Sequence, residues 1–278
     1  MCKQSLTKVI ELIIFDTTFR DLHCDLVAKC FPLIEKLKID CPLNARAMSR
    51  LLIPLLNLRS LEIVVYSRSF MAFPSLPNLD VFKVTLRSAI YESNQERIFG
   101  AIGEKLRNLT SLSIKCDVIE AFGALMLKSL QELTVTGAVL HVASSEIMFS
   151  VTTLTLNVNH SQNVEDLLQR FPNIQILTLN IGPLSVNIYT TISSMRFLKT
   201  IHMTCNIVTP KDFIVPMEGG CKNILIKFLK VTRNVEHLCV HVYYKLLNGS
   251  ASIFESSEKA AGRIRPKDSL CLEFMQRT

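Results

Sequence analysis

The feature that most constrains this chain is a short apolar pattern, h-x-x-L-x-L, that recurs along its length. It is plain at Phe171-Pro172-Asn173-Ile174-Gln175-Ile176-Leu177-Thr178-Leu179-Asn180, where Ile174, Leu177 and Leu179 take the three apolar positions. A single copy could belong to any buried strand. Ten copies are present, with central residues Leu12, Leu37, Leu61, Phe82, Leu112, Leu133, Leu154, Leu177, Ile201 and Leu238. The successive intervals are 25, 24, 21, 30, 21, 21, 23, 24 and 37 residues. Self-similarity at a period of ~20 to 29 residues is the signature of stacked strand-plus-return units.

The positions that follow support strands. Two residues after each centre stand Ile14, Ile39, Ile63, Val84, Ile114, Val135, Leu156, Leu179, Met203 and Val240, all apolar. Four residues after come Asp16, Cys41, Val65, Leu86, Cys116, Gly137, Val158, Ile181, Cys205 and Val242. Eight of these last ten suit a buried site, and because side chains on a strand alternate between faces, the apolar set shares one buried face and the intervening residues share the other. No single unit buries its inward face alone, but a stack does. The expected fold is therefore α/β: a leucine-rich-repeat solenoid, with a curved parallel sheet of about ten strands and helices or irregular segments on the convex side. At ~4.8 Å per strand its concave face would run roughly 45 Å.

Four return segments carry apolar stripes at i, i+3 and i+4 spacing, which predicts helices. They are Leu22, Leu26 and Cys30; Met48, Leu52 and Leu55; Ile98, Ile102 and Leu106; and Val164, Leu167, Leu168 and Phe171. Ser93–Asn94 and Asn163 suit helix starts. The 21-residue intervals leave room only for irregular backing, as over Gly137 to Ser150. The last interval contains Pro210, Pro216 and Gly219-Gly220, then a helical stripe of Ile224, Leu225, Phe228, Leu229 and Val231. Leu270, Leu272 and Phe274 alternate like a closing strand. Terminal repeats that depart from the pattern cap a stack. The expected division is a repeat arc over 1–217, then the last repeat and an atypical C-terminal cap over 218–278.

Nearly half the residues, 49%, are apolar and none is tryptophan, which excludes a disordered chain. The densest apolar run, Leu51 to Leu58, is far short of the ~20 residues a membrane helix needs. Met1 to Ser5 open without the basic-then-apolar pattern of a secretory signal. Nine cysteines, with no Cys-x-x-Cys pair, predict reduced thiols in an intracellular setting, cytoplasm or nucleus. The chain has no Gly-x-Ser-x-Gly, P-loop, Gly-x-Gly-x-x-Gly or His-Glu-x-x-His, so the expectation is a non-enzyme without cofactor.

The outward strand positions are the candidate binding surface. They comprise Glu11, Ile13, Phe15; Lys36, Lys38, Asp40; Ser60, Glu62, Val64; Val81, Lys83, Thr85; Ser111, Ser113, Lys115; and Glu132, Thr134, Thr136. They continue Thr153, Thr155, Asn157; Ile176, Thr178, Asn180; Thr200, His202, Thr204; and His237, Cys239, His241. Four lysines balance four carboxylates, so the net charge of +7 lies elsewhere. Specific duplex binders neutralise ~6–10 phosphates, and a neutral face argues against nucleic acid. The hydroxyls and amides suit a solvated strand surface, or a hydrogen-bonding platform for a partner protein. For the platform the candidate contacts are Lys83, Lys115, Glu132, Thr134, Thr153, Thr155, Asn157, Thr178, Asn180 and His202.

His237, Cys239 and His241 alternate on the tenth strand, and His202 faces the same way one strand over. Two histidines and a cysteine plus a neighbouring histidine have the ligand chemistry of zinc. The competing reading is a polar strand end with no metal, and the expectation is that reading.

Several stretches resemble the plant F-box/leucine-rich-repeat family with an FBD region. Phe31-Pro32-Leu33-Ile34-Glu35-Lys36-Leu37 and Phe171-Pro172-Asn173-Ile174 are similar to its repeats. Lys222-Asn223-Ile224-Leu225-Ile226-Lys227-Phe228-Leu229-Lys230 followed by Asn234-Val235-Glu236-His237-Leu238 resembles the FBD helix and strand. Glu258-Lys259, Arg265, Ser269 and Leu270-Cys271-Leu272-Glu273-Phe274 resemble its closing segment. The resemblance implies a non-catalytic protein-interaction module or, alternatively, the substrate-recognition part of an SCF-type ubiquitin ligase. The family sets an F-box before its repeats. Only eleven residues precede the first strand centre here, so the F-box, and adaptor binding with it, are expected to be missing.

Overall fold

In the computed structural model the described residues are 9–15, 19, 21–66, 74–87, 92–119, 127–137, 139–140, 147–158, 164–181, 186–207, 214–217, 220–223, 228–230, 232, 234–244 and 270–276. They form two compact units, one of residues 1–137 with 141–150, the other of 138–140 with 151–278.

The first unit runs β1 (Glu11–Ile14), α1 (Asp21–Cys30), β2 (Lys36–Ile39), α2 (Ala45–Leu52), β3 (Ser60–Val65), β4 (Val81–Leu86), α3 (Glu92–Lys105), β5 (Ser111–Cys116), the two-residue β6 (Val118–Ile119) and β7 (Glu132–Gly137). Strands β1, β2, β3, β4, β5 and β7 pair in that order, all parallel. The second unit runs β8 (Val139–Leu140), β9 (Thr153–Val158), α4 (Val164–Gln169), β10 (Ile176–Ile181), α5 (Val186–Ser194), β11 (Thr200–Ile207), β12 (Ile214–Met217), β13 (Gly220–Asn223), β14 (His237–Tyr244) and β15 (Leu270–Gln276). Here β9, β10, β11, β14 and β15 are parallel neighbours, while β12 and β13 pair antiparallel.

The described residues are thus α/β with eleven parallel strands, six in one unit and five in the other. Each of the ten motif centres is the second residue of a strand. Pairing sets centre against centre, as in Leu61↔Phe82 and Leu177↔Ile201. The closing strand is β15, with Leu270 opposite Leu238. Burial alternates as the pattern requires: β3 and β9 each show three buried residues interleaved with three half-exposed ones. Fully burying one such aliphatic side chain contributes ~1.5–3 kcal/mol, and this is the main force joining the rungs.

Two backbone devices hold each rung to its predecessor. A tight turn precedes the strand, with Leu58 N–H donating to the Leu55 carbonyl, Leu79 to Leu76, Leu109 to Leu106 and Ile174 to Phe171. At most of these junctions the carbonyl just before a strand then accepts two N–H groups of the next rung. Glu35 accepts from Arg59 and Ser60, Arg59 from Asp80 and Val81, Asp80 from Thr110 and Ser111, and Gln175 from Lys199 and Thr200. Asparagines in the turns add a side-chain link. Asn57 Nδ2 donates to the Pro32 carbonyl, Asn78 to Leu56 and Asn108 to Pro77.

The helices follow their stripes except in α1. Met48, Leu52 and Leu55 are buried, as are Ile98, Ile102 and Leu106, and Val164, Leu167, Leu168 and Phe171. Asn44 caps α2 by accepting from Ala47 N–H at 2.8 Å. In α1 the expected stripe is turned outward: Leu22 is 75% exposed and Leu26 53%, whereas Cys24 is fully buried. The turn after α1 fixes Phe31, whose N–H donates to Val27. That selects the stripe Cys24, Val27, Ala28 and Phe31 as the inner face. Helix α5 adds a stripe of buried Ile188 and Ile192. Lys222 and Asn223, read as the start of a helix, belong to strand β13; Phe228 and Leu229 are helical and buried. Asn163, Ile224, Leu225, Val231, Glu258, Lys259, Arg265 and Ser269 lie outside the described residues.

Candidate functional site

The outward strand residues line up in rows because the pairing is in register. In the first unit one row reads Ile13, Lys38, Glu62, Lys83, Ser113, Thr134 across six strands. The row before it reads Glu11, Lys36, Ser60, Val81, Ser111, Glu132. The row after includes Val64, Thr85, Lys115 and Thr136. All eight charged residues of the expected face, Lys83, Lys115 and Glu132 among them, stand in this unit.

Opposite charges here are neighbours. Lys38 Nζ meets Glu62 Oε1 at 2.5 Å, and that hydrogen bond, then the Glu62 charge, raises the Lys38 pKa. Tyr66 donates its hydroxyl proton to Asp40, which raises the Tyr66 pKa, and Arg87 lies over the Tyr66 ring at 5.6 Å. These groups are at or near the surface, where solvent screening leaves such pairs little net stabilisation. They set the pattern of the surface more than its stability.

The second unit differs. Its rows are Thr153, Ile176, Thr200, His237; then Thr155, Thr178, His202, Cys239, Cys271; then Asn157, Asn180, Thr204, His241, Glu273. Of these residues only Glu273 is a carboxylate and none is a lysine or arginine. Asn180 Nδ2 donates to Asn157 Oδ1, joining β9 and β10 by their side chains. Thr153, Thr155, Asn157 and Thr178 are half-buried in their rows, while Asn180 and His202 are exposed.

The last two strands bring together a cluster. Register sets Cys239 against Cys271 and His241 against Glu273. Cys239 Sγ lies 3.0 Å from His241 Nε2, and His241 Nδ1 lies 2.9 Å from Glu273 Oε2. With Nδ1–H donating to the carboxylate, Nε2 presents its lone pair toward the Cys239 sulfur. Cys271 Sγ is 4.0 Å from Glu273 Oε1. The Cys239 thiol is pushed up to about 11, first by burial, then by its hydrogen bond to Cys271 and the negative charge of Cys271 and Glu273.

Of the four residues weighed for metal, Cys239 and His241 lie in this cluster. His202 and His237 fall outside the group whose ligand atoms lie within 4.8 Å of one another, which is Cys239, His241 and Cys271. Cys271 and Glu273 escaped the sequence reading. Their signal was the alternation of Leu270, Leu272 and Phe274, which already turns the residues between them outward.

No helix among the described residues is long and apolar enough to cross a membrane. No family model matches the chain, and no curated protein matches it.

Proposed function

We propose that this chain is a leucine-rich-repeat interaction protein, of the plant F-box and FBD-related kind, that holds a partner protein on the outward faces of its strands. The observation that supports this reading is the second unit's aligned rows. Parallel sheets are ordinarily covered on both faces. Here the rows Thr155–Thr178–His202 and Asn157–Asn180–Thr204 run half-exposed across adjacent strands. They offer hydroxyl, amide and imidazole groups at ~4.8 Å steps. Such a surface supplies hydrogen bonds without the desolvation cost of burying full charges. It takes a partner strand or loop, and it has no arrangement for phosphate backbones. The reading implies an intracellular partner and no membrane attachment.

The test replaces Thr155 and Thr178 together by arginine. These neighbours in register would put two bulky charges mid-row. Chemical cross-linking and affinity capture from extract, followed by mass spectrometry, should recover a partner with the parent chain and lose it with the double variant. Circular dichroism should be unchanged. If no captured protein is sensitive to the pair, the reading fails. The ligase reading rests on the family resemblance and carries its own test, direct binding of the ligase adaptor by the full chain.

A further inference from the structure

Cys239, His241, Cys271 and Glu273 form the densest collection of metal-ligating and nucleophilic side chains among the described residues. Two chemistries use a thiol 3.0 Å from an imidazole that is itself held 2.9 Å from a carboxylate. One is a nucleophile with its base and orienting acid. The other is a metal ligand set, in which a carboxylate on the far ring nitrogen fixes the tautomer and aims the near one. The second thiol separates them. Cys271 stands directly across from Cys239, and Sγ of both and a nitrogen of His241 lie within 4.8 Å of one another. Acyl transfer by a thiol with its base uses one sulfur, whereas a soft divalent ion uses both.

We propose that the β14–β15 edge is a Zn²⁺ site with Cys239 Sγ, His241 Nε2 and Cys271 Sγ as ligands. Glu273 serves as the carboxylate that orients His241, and water fills the fourth position. Zn–S bonds of ~2.3 Å and Zn–N bonds of ~2.0 Å at tetrahedral angles require S···N of roughly 3.5 Å and S···S of roughly 3.8 Å. Cys239 Sγ and His241 Nε2 stand 3.0 Å apart and all three ligand atoms lie within 4.8 Å of one another, so the cluster starts close to ligating distances. Both thiol protons leave to solvent as the two Zn–S bonds form. The metal would link β15 to β14, which already pair in register. Three protein ligands and one exchangeable position also leave a coordination site that a partner side chain could enter.

The experiment uses the full chain, reduced and freed of metal. Equilibrium dialysis should show uptake of one Zn²⁺ per chain, and Co²⁺ in its place should give a thiolate-to-cobalt charge-transfer band with the visible bands of a tetrahedral ion. Cys239→Ser, Cys271→Ser and His241→Ala should each abolish stoichiometric uptake. Glu273→Gln should weaken it ~10–100-fold, and His237→Ala should leave it unchanged. The Co²⁺ spectrum of the parent chain stands even if a variant misfolds. The proposal is overturned if the parent chain takes up no equivalent, if its Co²⁺ spectrum lacks the charge-transfer band, or if Cys271→Ser binds as the parent does.

Discussion

Two glycines of the first unit should respond to the same substitution with opposite signs. Gly137 closes β7, and a Cβ added there would lie 2.5 Å from the Cys116 carbonyl oxygen, a backbone atom that no rotamer change can move. Ordinary contact begins at 3.4 Å, so the overlap is about 0.9 Å and the ends of β5 and β7 must part. Overpacking of this size costs ~1–3 kcal/mol. Alanine returns ~0.4–1 kcal/mol by restricting the unfolded chain. The net expectation for Gly137→Ala is a loss centred on ~1.3 kcal/mol, the mid-range cost less the mid-range return. Gly100 stands within α3, and a Cβ there meets nothing within 4 Å. Gly100→Ala should therefore gain ~0.8–1 kcal/mol of helix propensity. With a urea dependence of ~2 kcal/mol/M, the gain would raise the midpoint by about 0.4 M, and the loss would lower it by ~0.5–1 M. Urea unfolding followed by far-ultraviolet circular dichroism reads both shifts. A Gly137→Ala chain as stable as the parent, or shifts of one sign for both, would refute the close-approach argument.

The turn asparagines and the Cys239 thiol give two further predictions. Asn78→Ala removes the 2.9 Å bond to the Leu56 carbonyl and should cost ~0.5–1.5 kcal/mol. Asn78→Asp should cost at least as much in the same urea assay, because a carboxylate cannot donate; a harmless Asp would show that only turn propensity matters. Cys239 has a folded pKa of about 11 against 9.0 for an ordinary thiol. The folded state thus holds this proton more tightly. The stability it contributes is full below pH 9 and is lost as pH rises through 11. In metal-free protein, peptide-resolved alkylation of Cys239 should keep accelerating up to about pH 11. A plateau near pH 9 would contradict the buried, thiol-paired geometry.

The strands were legible because two periodicities coincide in them, a period of 2 within each rung and one of 21–25 residues between most rungs. Leu12 through Leu238 could be placed without a coordinate. Helix faces were less so. In α1 the larger Leu22 and Leu26 lost the inner face to Cys24, because the exit turn at Phe31 sets the rotation and residue size does not. The antiparallel β12–β13 pair is harder to read, because Pro216 and Gly219-Gly220 look equally like a break in the last repeat. The rows of Thr155, Thr178 and His202 followed directly from centre-to-centre register. The pairing of Cys239 with Cys271 did not, since β14 and β15 are separated by 25 residues that carry no repeat motif to fix their register.

The doubly accepting carbonyls before the first unit's strands bear on how such a chain can change. The acceptors are Glu35, Arg59, Asp80 and Thr110, residues with nothing in common but their backbone. The coupling between rungs is therefore blind to sequence and to the length of chain between them, 21 residues from Leu61 to Phe82 and 30 from Phe82 to Leu112. Each interval behaves as a cassette with identical sockets at its ends. Excision from Ser60 through Asp80 would bring Val81 directly after Arg59 and offer both their N–H groups to Glu35, as Arg59 and Ser60 do now. Growth or loss of whole rungs then leaves every other rung's docking chemistry intact, and the outward rows shift by one strand without being scrambled.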